Sequence, residues 1–247
     1  MNAAPADQLR LLDVQALDSA IDRLAHRRAT LPELAQLDSL HARAAQIDDD
    51  IVRGETEDSD LGREQAKVDA DVEIVRGRMD RDQKRLDAGQ VSSPKELENL
   101  QSEIESLHRR QAELEDAELE VMEQRETIEL RLKELRAEQA QLTESIAAAT
   151  ASRDATWAEI DAETEKSKTQ RQELAATLPA DLRELYEKLR SSSGGVGAAA
   201  LHRGRCEGCH LQLNTTDLNA IKDAPEDEVI RCEECRRILI RTAESGL

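Results

Sequence analysis

Four cysteines carry the clearest chemistry in this chain: Cys206 and Cys209 in RCEGCHLQL, and Cys232 and Cys235 in RCEECRRILI. Two residues separate the members of each pair, and 22 residues separate the pairs. Thiolates at this spacing suit a tetrahedral metal ion, above all zinc. Each short turn presents two sulfurs to one ion while backbone N–H groups point at them. Two such turns complete four ligands at about 2.3 Å. A full set of four thiolates leaves no open position for a reacting water, so the expected cofactor is one structural Zn2+. Replacement of a ligand by the adjacent His210, and redox use of the CxxC pairs, are the lesser alternatives.

Six arginines cluster around the same turns: Arg203, Arg205, Arg231, Arg236, Arg237 and Arg241. Such cations could contact nucleic-acid phosphates. Equally, they could offset thiolate charge and pair with nearby glutamates. Residues 200–247 hold seven Lys/Arg against nine Asp/Glu, so they are far less acidic than the rest of a chain whose net charge is −19. They contain no aromatic residue for base stacking.

The elements expected to hold these groups are short. HLQLN, EVIRC and RILIRT alternate apolar and polar residues and read as strands. TTDLNAIKDAPEDE between them reads as a short helix capped by Thr216, followed by a loop at Pro225. The result is a zinc ribbon over residues 201–247, too small to fold by burial alone and dependent on its metal. SSSGGVG ahead of it reads as a linker, residues 191–200, with its glycines serving a hinge or tight turn. It is not a phosphate-binding loop, because no Gly-Lys-Ser/Thr follows.

The first 190 residues are of another kind. The chain is 35% charged and 1% aromatic, without phenylalanine. Leu, Ile, Val and Ala supply its apolar surface, the composition of long helices or coiled coil. From Leu100, Ile104 and Leu107 through Val121, Ile128, Leu132 and Leu135 to Ile146 and Ala149, seam positions recur in steps of three and four. A second seam runs from Leu37 and Leu40 through Ile47, Ile51, Val68 and Val72 to Leu86. Between the seams, Gly89 ends one helix and Ser93-Pro94 opens the next, with Glu96 at the capping-box position. So short a break, near 88–94, predicts an antiparallel coiled-coil hairpin over residues 1–190.

If Leu86 faces Leu97, Asp58 comes opposite Arg125 and Gln65 opposite Glu118. Polar seam residues cost stability but fix register. Pro32 interrupts or restarts the first helix. Residues 7–28 are expected against 155–178. A further helix begins at Pro179, capped near Thr177.

This layout resembles a bacterial family that joins a long coiled-coil hairpin to a C-terminal C4-type zinc ribbon. The resemblance rests on LLDVQALDSAIDRL, SSPKELENLQSEIE, GGVGAAALHRGRC and CEGCHLQL…CEECRRILI, and covers nearly the whole chain. LPEL after the first helix is similar to actinobacterial members. Arg236 departs from the family pattern, in which glycine is common, and implies a looser second turn. The resemblance implies zinc on Cys206, Cys209, Cys232 and Cys235, and nucleic-acid binding. In some members it implies regulatory roles through protein partners and RNA.

The fold class expected is therefore mainly α, a hairpin bearing a small β zinc ribbon. No Ser/His/Asp arrangement is apparent, and His26, His41, His108, His202 and His210 are scattered. The expected function is non-enzymatic. A coiled-coil arm would bind protein partners, and a ribbon would contact RNA, DNA or protein. The alternative is a purely protein-binding scaffold or chaperone with structural zinc. No small-molecule substrate and no membrane contact are expected. The lack of an apolar run suited to a signal or a span predicts a cytoplasmic location, where paired cysteines more often hold metal than form disulfides.

Overall fold

The computed structural model describes all of residues 1–247. The chain forms α1 (Pro5–Ala29), α2 (Pro32–Asp87), α3 (Pro94–Ala176) and α4 (Ala180–Ser192). A small sheet of β1 (Ala198–His202), β2 (Arg205–Cys206) and β3 (Ile238–Ile240) follows, with α5 (Thr215–Asp223) inserted between β2 and β3. It is the expected mainly helical hairpin with a small C-terminal sheet. Its two compact units do not follow chain order: Gln36–Thr150 form one, and Met1–Ala35 with Ala151–Leu247 the other.

In the first of these units α2 and α3 run antiparallel. Ile47, Ile51, Ile128 and Leu132 form its buried cluster. Gly54 lies in this layer because a Cβ there would come within 2.8 Å of the Leu132 side chain. Asp58 accepts a hydrogen bond from Nε of Arg125 at 3.0 Å, which is the expected register. Gln65 makes no hydrogen bond to Glu118. Its Oε1 accepts from Nη1 of the same Arg125 at 2.9 Å, while Glu118 sits beside Asp69 and titrates high through burial and that neighbour. At the turn, Gly89 adopts φ +65°. Ser93 Oγ accepts from the Glu96 amide, and Glu96 accepts from the amide of Ser92 rather than that of Ser93.

In the other unit α1 lies against the last part of α3, as expected. Leu24, Leu31 and Ile160 are buried together, and Trp157 is held between Arg28 and Arg153 with ring-centroid distances of 4.4 and 4.6 Å. Asp18 is buried and collects the hydroxyl of Tyr186 at 2.7 Å and the guanidinium of Arg171 at 3.1 Å. Burial and then Asp18 push the Tyr186 hydroxyl far above the ordinary tyrosine value. Thr177 does not cap α4: its hydroxyl donates back to the Leu174 carbonyl and closes α3 instead.

The sheet order is β2-β1-β3, with β1 antiparallel to β2 and parallel to β3. Alternation gives it two buried faces. Ala198, Ile238 and Ile240 pack on Leu11, Val14, Leu182 and Tyr186 of α1 and α4. Ala199, Leu201 and Leu239 pack with the cysteines, Leu213 and Ile221. The segment read as a linker is thus only partly one. Ser191 and Ser192 end α4, and Ala198–Ala200 open β1. Its glycines make a fixed turn: the Gln15 amide accepts from the Gly197 N–H at 2.7 Å and donates to the Gly195 carbonyl at 3.0 Å. A Cβ at Gly197 would meet the Tyr186 carbonyl at 2.7 Å.

Candidate metal centre

Two turns of the same construction present the four sulfurs. In the first, the His210 amide donates to the Cys206 carbonyl at 2.7 Å and the Cys206 amide to the Leu211 carbonyl at 3.1 Å. In the second, the Arg236 amide donates to the Cys232 carbonyl at 2.8 Å and the Cys232 amide to the Arg237 carbonyl at 2.9 Å. Closing each turn requires a left-handed residue after the second cysteine, and His210 and Arg236 take φ +61° and +63°. The departure at Arg236 therefore does not loosen the turn. It places a side chain where glycine would be free of strain.

The arginine preceding each pair completes the likeness. Arg205 Nε donates to the His210 carbonyl at 2.6 Å, and Arg231 Nε to the Arg236 carbonyl at 2.8 Å. Arg237 reaches across from the second turn. Its guanidinium donates to the carbonyls of Gly208 in the first turn, Val196 and Ser193 at 2.8–3.0 Å. Gly208 must be small here, since a Cβ would approach Arg237 Cδ at 2.8 Å. Arg241 is likewise bound to main chain, donating to the carbonyls of Ile221, Ala224, Pro225, Glu226 and Glu228. Arg203 and Arg236 make no such main-chain contacts; both are exposed, and Arg236 lies 3.4 Å from Glu233.

All four sulfurs lie within 4.8 Å of one another. Cys206 and Cys235 are 3.9 Å apart at Sγ, as are Cys209 and Cys232. A tetrahedron with bonds of about 2.3 Å has edges of about 3.8 Å, so the spacing fits one zinc ion. It is nearly twice a disulfide bond length. Cys206 and Cys232 are fully buried, while Cys209 and Cys235 are partly exposed. Burial pushes the Cys206 thiol up to about 12, against the pull of the Gly208 and Cys209 amides, with the facing cysteines adding to the rise. Burial also raises Cys232. At Cys235 burial works in the same sense, but the amide and guanidinium of Arg237 together with the facing Cys232 and Cys209 thiols outweigh it, and the thiol titrates low. Four such groups cannot all be charged without a cation among them. His210 is exposed and is not part of the cluster.

Sequence reading missed part of the frame. β1 is AAALH, whose alanines carry no alternation signal but must be small against Gly208 and the helices. HLQLN and EVIRC make only isolated bridges, Gln212 to Arg205 in the first and Glu228 to Asn2 and Arg231 to Ile238 in the second. The cap of α5 is Asn214, which accepts from the Asp217 amide at 2.8 Å, and not Thr216. Asparagine competes strongly with threonine at this position.

Comparison with known proteins agrees with this geometry. Residues 14–194 match the model of the CT398-like coiled coil hairpin domain, and residues 205–239 that of the C4-type zinc ribbon domain. An uncharacterised protein of Mycobacterium tuberculosis is 39% identical over 242 residues, covering 98% of each chain. One of Mycobacterium leprae is 29% identical over 219 residues, covering 88% of this chain and 93% of its own. A solved structure from Mycobacterium smegmatis aligns with TM-score 0.86 at 33% identity, over 98% of this chain and 100% of the other. CT398 from Chlamydia trachomatis shares the fold, with TM-score 0.74 at 20% identity over 96% and 98% of the two chains. With its paired helices and four-cysteine centre, the chain belongs to the family of CT398-like coiled-coil hairpin proteins that carry a C4-type zinc ribbon.

Proposed function

We propose that this protein is a non-enzymatic adaptor of a reducing, cytoplasmic compartment. The hairpin offers a long charged surface to a protein partner, and the ribbon contacts nucleic-acid phosphates. The observation that carries the ribbon reading is the division among its arginines. Arg237 and Arg241 spend their guanidinium groups on carbonyls and hold the ribbon together. Arg203, Arg205, Arg231 and Arg236 are exposed around the two turns. Only the Nε atoms of Arg205 and Arg231 are used, so their outer nitrogens remain for phosphate. A closed four-thiolate centre supports the absence of zinc catalysis in this reading.

The test is binding of the zinc-loaded protein to a single-stranded RNA and a duplex DNA across a salt series. Affinity should fall steeply as salt rises. Arg203→Glu with Arg236→Glu should abolish it at unchanged zinc content. Absence of binding at low salt would overturn the phosphate reading and leave the protein-only scaffold. That second reading draws support from the two arginines committed to main chain and from the acidic face between α5 and residues 228–231.

A further inference from the structure

Between α5 and the segment 228–231 runs a groove of about 560 Å³. Its floor is apolar: Leu213 and Ile221 are buried, and Val229 and Ile230 half-buried. Its rim carries Asp217, Asp223, Glu228 and Glu233, with Arg231 as the one cation. The Nε of that arginine is held by the Arg236 carbonyl. An apolar floor of this size ringed by a few polar groups is the usual construction of a binding site. Four carboxylates around it concentrate negative potential over the apolar surface.

The walls are fixed before any ligand arrives. Arg241 ties down the Ile221 and Ala224 carbonyls on the helix side and those of Pro225, Glu226 and Glu228 on the way to the opposite wall. That wall is itself held, because the Val229 amide donates to the Met1 carbonyl and the Leu239 amide to the Ile230 carbonyl. Asn214 caps the start of α5. A rigid groove loses little entropy on binding.

We infer that this groove docks a protein segment in which one apolar side chain is flanked by lysines or arginines. The charge of the rim selects the occupant. Phosphates would be repelled by the four carboxylates, and a second copy of a chain with net charge −19 meets the same repulsion on approach. This goes beyond the adaptor reading and touches it at Arg231 on the rim and at Glu233, which pairs with Arg236; Arg203 and Arg236, the residues changed in the nucleic-acid test, do not line the groove.

Methyl-labelled, zinc-loaded full-length protein titrated with capped synthetic octapeptides tests the proposal. A peptide with a central leucine among lysines should shift the methyl signals of Ile221, Val229 and Ile230, with affinity that falls as salt rises. The same peptide with glutamates for lysines should not bind, and one with serine for leucine should bind at least about tenfold more weakly. Asp223→Lys with Glu233→Lys should weaken binding by about tenfold or more through charge. Ala220→Trp, at an exposed position on the groove, should do so by filling it. Unchanged signals elsewhere establish that both variants fold. Shifts spread along the hairpin methyls and indifferent to both variants would overturn the proposal, as would no shift at all. Either result leaves the RNA titration of the Arg203 and Arg236 variants unaffected.

Discussion

Arg125 of α3 donates its Nε to Asp58 of α2 at 3.0 Å, and its Nη1 to Gln65 one heptad further on. One side chain thus bridges two polar positions of the facing seam, where apolar residues would otherwise sit. Both members of the ion pair are about 30% exposed, so its contribution to stability is small and its value is register.

Replacing both Asp58 and Arg125 by leucine should therefore raise the urea midpoint of the hairpin. Arg125→Leu alone should give a lower midpoint than the double variant, because Asp58 then faces an apolar seam. The cost of the double variant should appear as register heterogeneity, read from cysteine crosslinks placed at Arg43 and Glu138, which pair at 2.7 Å in the native register.

Removing zinc should separate the two halves of the molecule's stability. Chelation, or Cys232→Ser, takes away the ion that would tie together the four cysteines packed with Leu201, Leu213, Ile221 and Leu239. Hydrogen exchange should then become fast at the Cys206, His210, Cys232 and Arg236 amides. Far-ultraviolet circular dichroism should retain most of its helical signal, since Ile47, Ile51, Ile128 and Leu132 bury their surface without metal. A ribbon that stays protected after chelation would contradict this account.

The affinity for zinc should rise with pH. Without metal the Cys206 thiol is neutral at pH 7 whether the ribbon keeps its fold, where burial pushes it up to about 12, or opens, where it returns to about 8.5, so it must lose its proton on binding. Calorimetry in buffers of different ionisation enthalpy should therefore record proton release on zinc binding.

Tyr186 is the one tyrosine of the chain and is fully buried against Asp18. Its raised value means that the neutral hydroxyl stabilises the fold in full below about pH 10 and progressively less above it. Tyrosinate absorbance should stay absent above pH 10 until the protein unfolds. Tyr186→Phe should cost about 1 kcal/mol. Asp18→Ala should cost about 3 kcal/mol, because it strands the partly buried Arg171.

Arg236 holds a left-handed φ of +63° in a turn that needs it. Arg236→Gly should stabilise the zinc-loaded ribbon by about 0.5–1 kcal/mol, seen as a higher thermal midpoint. A lower midpoint would mean that its side chain contributes more than its backbone costs.

Much of this protein is written locally. The heptad seams need only step counting, and they fix two long helices, their turn and the Asp58–Arg125 layer, because one face of each helix has nowhere else to bury itself. The metal ligands are equally local, since two residues between thiolates suffice to aim both at one ion. Tertiary structure decided what the sequence left open. AAALH becomes the central strand because small residues fit between Gly208 and the helices, a property of the space around them and not of their own propensity. Six arginines look alike in sequence, yet Arg237 and Arg241 turn inward to carbonyls while Arg203 and Arg236 stay in water. That choice depends on which orphaned carbonyls the folded chain brings within reach, and no spacing rule encodes it.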